Sequence, residues 1–515
     1  MSYRVYPVTR VGNDCEDYEV YVNGERAELN TARVSAIPYN RRWPGHQRQE
    51  DQTELVNFLS MASDEEIELT ILPKIPSHAV RIRPRGAALD AVTDQSGAIK
   101  IRVKGASYFT VEPYGRNHAL HVFIDPIEDY GVDKKDPSVL YFGKGEHDVG
   151  DLYLADGQTL FIDEGAVVYA TVYAYDKKNI SILGRGILDN SKNKEIILYE
   201  ANENTAGMAA VANAHRAFAV NLLGCENVRI DGITIRDSLL YNIDAVACKN
   251  IHINGIKIIG CWRFNTDGVH FANCVHGSLT SSFLRTYDDS ICVRGFANYE
   301  YDRFLDPATG EDLLKREGIL FECRDILIKG CVVFNDWGKN LQIGTETYSK
   351  EISAVRFEDC DLIHTMGKAV TVWLVDNAKI HDITFKNTSV EYDDYMNKPC
   401  IQPQDSDIYT DRYDPDWCGH LVSMEVSKHF EYSMIKTEEE LGSVSDVTVE
   451  GLSLFGVQKP TFYFRGESDR SACENITLKD VFWNGEPISR RLFEKQTEKN
   501  AFAKNITFME SEGAI

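Results

Sequence analysis

Apolar and polar positions alternate along most of this chain, and the alternation changes character about a quarter of the way in. Up to about residue 125, short period-two runs are separated by turn residues such as Asn23-Gly24. Examples are Tyr18-Glu19-Val20-Tyr21-Val22, Ile67-Glu68-Leu69-Thr70-Ile71, Ala79-Val80-Arg81-Ile82-Arg83 and Ile99-Lys100-Ile101-Arg102-Val103. Strands with one wet and one buried face, joined by tight turns, predict an antiparallel β-sandwich over residues 1–130. Its expected role is to pack against the remainder of the chain.

From about residue 140 a different unit recurs, in which Asn or Asp opens a short apolar strand. It reads Asn227-Val228-Arg229-Ile230, Asn250-Ile251-His252-Ile253, Cys274-Val275-His276, Asp325-Ile326-Leu327-Ile328, Asp382-Ile383-Thr384-Phe385, Asp446-Val447-Thr448-Val449, Asn475-Ile476-Thr477-Leu478 and Asn505-Ile506-Thr507-Phe508. The first three begin 23 and 24 residues apart. A repeat of this length, rich in β-branched residues and without helical periodicity, predicts a right-handed parallel β-helix over residues 131–515. No LxxLxLxxN pattern supports a leucine-rich repeat instead. The fold class expected is all-β. Two insertions break the period, near 296–322 and 391–443, and long loops on a rigid solenoid shape sites. The second carries Tyr392-Asp393-Asp394-Tyr395 and Asp411 to Trp417, which read equally well as sugar-stacking or as a solvated acidic loop.

Within the repeats, Asn265-Thr266-Asp267-Gly268 is followed 21 residues later by Asp288-Asp289-Ser290. Positions about one repeat apart stack on neighbouring turns, so the three carboxylates are expected to meet on one face. Three carboxylates together raise the pKa of at least one. A protonated acid beside an ionised base is what glycosidic hydrolysis needs. Asp288 and Asp289 would point to opposite faces of a regular strand, so the coil is expected to bend there. The competing reading of each is a turn-forming Asp.

The 515 residues carry a formal net charge of −24, which argues against nucleic-acid binding and against a polyanionic substrate. No apolar run is long enough to span a membrane. Met1-Ser2-Tyr3-Arg4 is not a basic start followed by an apolar stretch, so a cytoplasmic, bacterial location is expected. Of 12 Cys, Cys225, Cys248, Cys274, Cys360 and Cys473 recur at one place in the repeat and read as a stack of small buried residues. No metal and no cofactor are expected; the acidic insertion has no EF-hand spacing for calcium.

The stretch from Gly184 to Gly295 resembles glycoside hydrolase family 28, the polygalacturonase-like β-helix family with the pectin-lyase-like fold. The pieces run in order: Gly184-Arg185-Gly186-Ile187-Leu188-Asp189, Cys225 to Ser238, Asn265-Thr266-Asp267-Gly268, and Asp288-Asp289-Ser290-Ile291-Cys292-Val293-Arg294-Gly295. A sandwich followed by a β-helix is closer to the dextranase and isopullulanase family, which uses a similar three-aspartate site. The resemblance implies that Asp288 is the general acid, that Asp267 and Asp289 activate water, that Arg294 is the basic residue after the pair, and that the anomeric carbon is inverted.

This chain also departs from the family. Lys339 stands where the family's Gly-His-Gly motif has its His. Ala369-Val370-Thr371-Val372-Trp373 has no basic residue where the family's Arg-Ile-Lys grips a uronate. Loss of that clamp speaks against a uronic acid, and Trp373 offers a flat face to a neutral sugar. His270, Gln342, Trp337 and Glu346 complete the candidate substrate contacts, with His215-Arg216 a weaker one. His270 shares a strand face with Gly268, and orienting an Asp is its alternative role.

The expected activity is therefore an inverting glycoside hydrolase, exo-acting on soluble oligosaccharides. The alternative is an exo-polygalacturonase or rhamnogalacturonan-type hydrolase on pectic oligomers. A polysaccharide lyase, a non-catalytic carbohydrate-binding β-helix and an intramolecular fructotransferase are the other classes. No nucleic acid or membrane partner is expected, and the oligomeric state is left open.

Overall fold

The computed structural model describes residues 3–12, 15–36, 53–77, 79–87, 89, 91–192, 218–263, 265–297, 315, 317–393, 419–429 and 433–511. His215-Arg216 and most of both insertions lie outside them.

The N-terminal strands form two facing sheets, one of six strands and one of five. Their core is built from the alternate residues of each run, among them Val20, Val22, Ile67, Leu69, Ile71, Ile99, Ile101 and Val103. The pairing is antiparallel with one exception among the described residues. Leu120–Asp125 runs parallel to Thr53–Ser63, so the first sheet is mixed.

The rest is one continuous 30-stranded array beginning at Val139–Phe142, its ladders parallel except where Cys473–Trp483 turns back on Glu486–Pro487. The coils in the middle of the array contribute three strands each, and in the later ones two of these merge into one long strand such as Lys379–Tyr392. Ile243–Val246, Lys249–Asn254 and Lys257–Ile259 are followed by Val269–Ala272, Val275–Thr280 and Phe283–Thr286. Each strand pairs with its equivalent on the next coil. The recurring Asn or Asp marks a corner. Asn227, Asn250, Asp325, Asp382, Asp446, Asn475 and Asn505 all have φ between 52° and 58°, the left-handed region that Asn and Asp tolerate best after Gly. Their side chains also bond from coil to coil: Asn250 Nδ2 to Asn227 Oδ1 and Asn505 Nδ2 to Asn475 Oδ1 are both 3.0 Å. Cys225, Cys248, Cys274, Cys323, Cys360 and Cys473 are free buried thiols inside the coil.

The sandwich docks on a sheet other than the one that carries the carboxylates. Ala32, Val34, Val56, Phe58 and Phe123 pack on Ile187, Ile259, Phe283, Val332, Phe334 and Ile363. A buried ionic clasp lies beside this apolar patch. Arg116 from the sandwich pairs with Asp336 and, at 2.9 Å, with Asp393. Arg83 pairs with Glu112 at 3.1 Å and with Glu391. His364 stands between Glu112 and Asp393, at 2.8 Å from each. Burial opposes charge on His364, but Glu112 and Asp393 outweigh it and raise its pKa.

Candidate active site

Three strands on successive coils build the site: Ile243–Val246, Val269–Ala272 and Ile291–Arg294. Within each, alternate residues enter the core (Ile243 and Ala245, Val269 and Phe271, Ile291 and Val293). The intervening residues face the other way. Asp244, His270, Cys292, Gln342 and Thr371 thus form one ladder, each the Cα partner of the next. Asp267 and the Asp288-Asp289 pair sit in the bends just before their strands.

The bends are braced by side chains. Asn242 donates from its backbone (2.9 Å) and from Nδ2 (2.7 Å) to the Asp267 carbonyl. Thr286 Oγ1 and Asn335 Nδ2 donate to the Asp288 carbonyl at 2.9 and 2.7 Å. Gly338 lies against the Asp288-Asp289 peptide. A Cβ there would stand 2.3 Å from the Asp288 carbonyl carbon and 2.5 Å from the Asp289 nitrogen. The expected break in the strand is thus present, between Phe283–Thr286 and Ile291–Arg294.

The three carboxylates act on one another. Burial, then Asp288 and Asp289, push the Asp267 carboxyl well above the usual range. Burial, then Asp289, do the same to Asp288. Both side chains are nearly excluded from solvent, at 5% and 7% exposure. Lys339 Nζ pairs with Asp289 at 3.0 Å, and its charge opposes the rise at the other two. Burial opposes its own charge, but Asp289 and Asp288 outweigh it and raise its pKa. Burial also raises half-buried Glu346, whose charge acts on Asp267 and Asp288.

A relay runs behind Asp267. Arg294 Nη2 reaches Asp244 Oδ1 at 3.4 Å and Arg294 Nε donates to His270 Nδ1 at 3.2 Å. Because Nδ1 accepts, the ring proton sits on Nε2, which donates to Asp267 Oδ2 at 3.1 Å. Trp373 is half-buried, anchored by its indole N–H on Ser427 Oγ at 2.8 Å, with Lys339 and Lys368 over its ring.

The structure therefore gathers Asp267, Asp288, Asp289, His270, Arg294, Lys339, Gln342, Glu346 and Trp373 around one face. Trp337 is placed differently. It is 6% exposed in the core cluster, with its ring stacked on Tyr287 at 5.6 Å. Sequence reasoning missed Asp244, Cys292, Asn242, Asn335 and Gly338. The strand register with His270 was the signal for the first two.

The chain is thus a parallel β-helix bearing a braced carboxylate cluster on one sheet. Residues 164–302 match the family model described as glycosyl hydrolases family 28, so the resemblance read from the motifs is a match over that stretch. It supports glycoside hydrolysis as the chemistry of the site. Among solved structures the chain is similar to Dex49A from Penicillium minioluteum. That alignment has 13% identity and a TM-score of 0.58, and covers 95% of this chain and 93% of that one. It shows the shared fold, N-terminal domain included. An exopolygalacturonase from Thermotoga maritima aligns with 15% identity and a TM-score of 0.49, over 73% of this chain and 84% of that one. No curated protein matches the chain by sequence. No described helix is long and apolar enough to cross a membrane.

Proposed function

We propose that the protein is an inverting glycoside hydrolase acting from the chain end on soluble oligosaccharides of neutral sugars. Asp288 is the general acid. Asp267 and Asp289 hold and activate the attacking water. The rise of both Asp267 and Asp288, from burial and from neighbouring carboxylates, supports this: between them they keep a proton at a pH where free carboxylates have lost theirs. The imidazole donor on Asp267 favours the ionised form there and leaves the proton to Asp288.

One observation carries the choice of a neutral sugar. Each cation described at this face already meets a carboxylate: Lys339 with Asp289, Arg294 with Asp244, Lys368 with Glu425 at 3.8 Å. A uronate would need a cation of its own. The half-buried Trp373, with Lys339 and Lys368 over its ring, adds aromatic surface instead. The near-complete burial of Asp267, Asp288, His270 and Gln342 favours a pocket over an open groove, and with it exo action. Free thiols fit a reducing cytoplasm as its place of work.

The test is a screen of neutral and pectic oligosaccharides with Asp288→Asn as control, following the first-formed anomer by proton NMR. Release of one sugar at a time with inverted configuration is expected. Cleavage confined to galacturonate-containing oligomers would favour the exo-polygalacturonase reading. An unsaturated, ultraviolet-absorbing product would make the protein a lyase.

A further inference from the structure

We propose that Asp267, His270 and Cys292 form a binding site for a thiophilic divalent cation, Zn²⁺ in particular, inside the carboxylate cluster. Each offers one ligand atom, and the three atoms lie within 4.8 Å of one another. The arrangement follows from the coil. His270 and Cys292 are Cα partners on adjacent coils, so imidazole and thiol stand side by side on the outward ladder. Asp267, three residues before His270, bends over the same point and meets Nε2 at 3.1 Å. Carboxylate, imidazole and thiol together are a donor set that suits Zn²⁺, with a fourth position left for water.

One observation beyond the ligand geometry points to a cation here. Asp267 Oδ1 is buried and has no hydrogen-bond partner among the described residues. The surroundings also carry an excess of acid: Asp267, Asp288, Asp289 and Glu346 face Lys339 and Arg294. A dication would offset the repulsion that crowds these carboxylates. Asp244 Oδ1 lies 3.9 Å from His270 Nδ1 and is the carboxylate that would take up the Nδ1 proton once Arg294 Nε moves aside. On binding, the ring proton moves from Nε2 to Nδ1 and Arg294 Nε gives up its bond to Nδ1, while Arg294 Nη2 keeps its contact with Asp244. The Cys292 thiol proton leaves to solvent, and the thiolate and the freed Nε2 lone pair bind the metal.

Occupation would take Asp267 out of water activation, so Zn²⁺ is expected to inhibit. That consequence rests on the hydrolase reading, whereas binding does not. The experiment titrates the full chain with Zn²⁺ by calorimetry and with Co²⁺ by absorption spectroscopy. One equivalent and a thiolate-to-cobalt charge-transfer band are expected. Outer partners alone are worth about 10–100-fold in affinity, so Cys292→Ser should weaken Zn²⁺ by at least that much and abolish the band. His270→Ala should do likewise. No band with the native chain, or Zn²⁺ affinity unchanged in both variants, overturns the site. Tight binding without inhibition of oligosaccharide hydrolysis would leave the site standing and overturn the role given to Asp267.

Discussion

Lys339 holds Asp289 from one coil away. Its Nζ lies 3.0 Å from Oδ2 and 3.3 Å from Oδ1, and its backbone N–H donates to Oδ1 at 2.8 Å. The same ammonium group is the cation that moderates Asp267 and Asp288. Lys339→Met removes both effects. The two carboxyls then keep their protons to still higher pH, so the alkaline limb of kcat/KM should move upward. Loss of one preorganised charge in a buried site costs about 10²–10³ in kcat. A pH–rate profile that keeps its alkaline limb in place would contradict the electrostatic role.

Asp288→Asn should lower hydrolysis by about 10²–10⁴, the range for a positioned general acid. It should also stabilise the protein. The folded-state pKa of Asp288 is raised, so the folded chain binds more protons than the unfolded one between the two values. Stability therefore falls as pH rises through that window. Asn carries no such charge and removes about 1.4 kcal/mol of cost per unit of elevation. Thermal melts at pH 7 should show the variant melting above wild type, with the gap closing towards pH 4. Equal melting at both pH values would mean the carboxyl is not held protonated.

Gly338→Ala tests the packing behind the pair. The added Cβ meets main-chain atoms of Asp288 and Asp289, which must move. Displacement of a catalytic group by about 1 Å can cost on the order of 10²-fold. A folded protein with turnover reduced by about that factor is expected, and unchanged turnover would show that the bend is not what positions the acid.

Arg116→Met should destabilise the protein by about 3–5 kcal/mol, because it strips the guanidinium from the buried carboxylates Asp336 and Asp393. Asp336 opens the segment that ends in Lys339, so activity should fall with stability. Chemical denaturation measures the first and oligosaccharide turnover the second.

His364 gives that clasp a pH dependence. Its folded pKa lies above its ordinary value, so its contribution is complete below that value and is lost as pH rises through the folded one. His364→Gln should flatten the decline in stability above neutral pH. A decline as steep as in wild type would assign the loss elsewhere.

The solenoid was legible because its corners are chemically demanding. A left-handed residue at the corner of successive coils favours Asn or Asp, with His276 and Ala354 the exceptions on their coils, and these recur beside β-branched residues that fill the core. The catalytic aspartates were legible as spaced motifs. Asp244 was not, since in Asn242-Ile243-Asp244-Ala245-Val246 nothing but its register with His270 sets it apart. Trp337 was read as a substrate contact. It lies in a bend, where alternation no longer tells inside from outside, and it turned to stack on Tyr287. The parallel pair in the sandwich joins strands far apart in the chain, with no hairpin turn to announce it.

A stack of coils touching only their neighbours can come apart anywhere, since each interface is independent of those farther along. The clasp of Arg83, Glu112 and Arg116 with Asp336, His364, Glu391 and Asp393 breaks that independence. Coils from the middle of the solenoid are tied to strands synthesised hundreds of residues earlier. The coils beside the site are therefore held by the sandwich as well as by their own column. The domain made first thus braces coils made later, and the site draws part of its rigidity from outside its own stack.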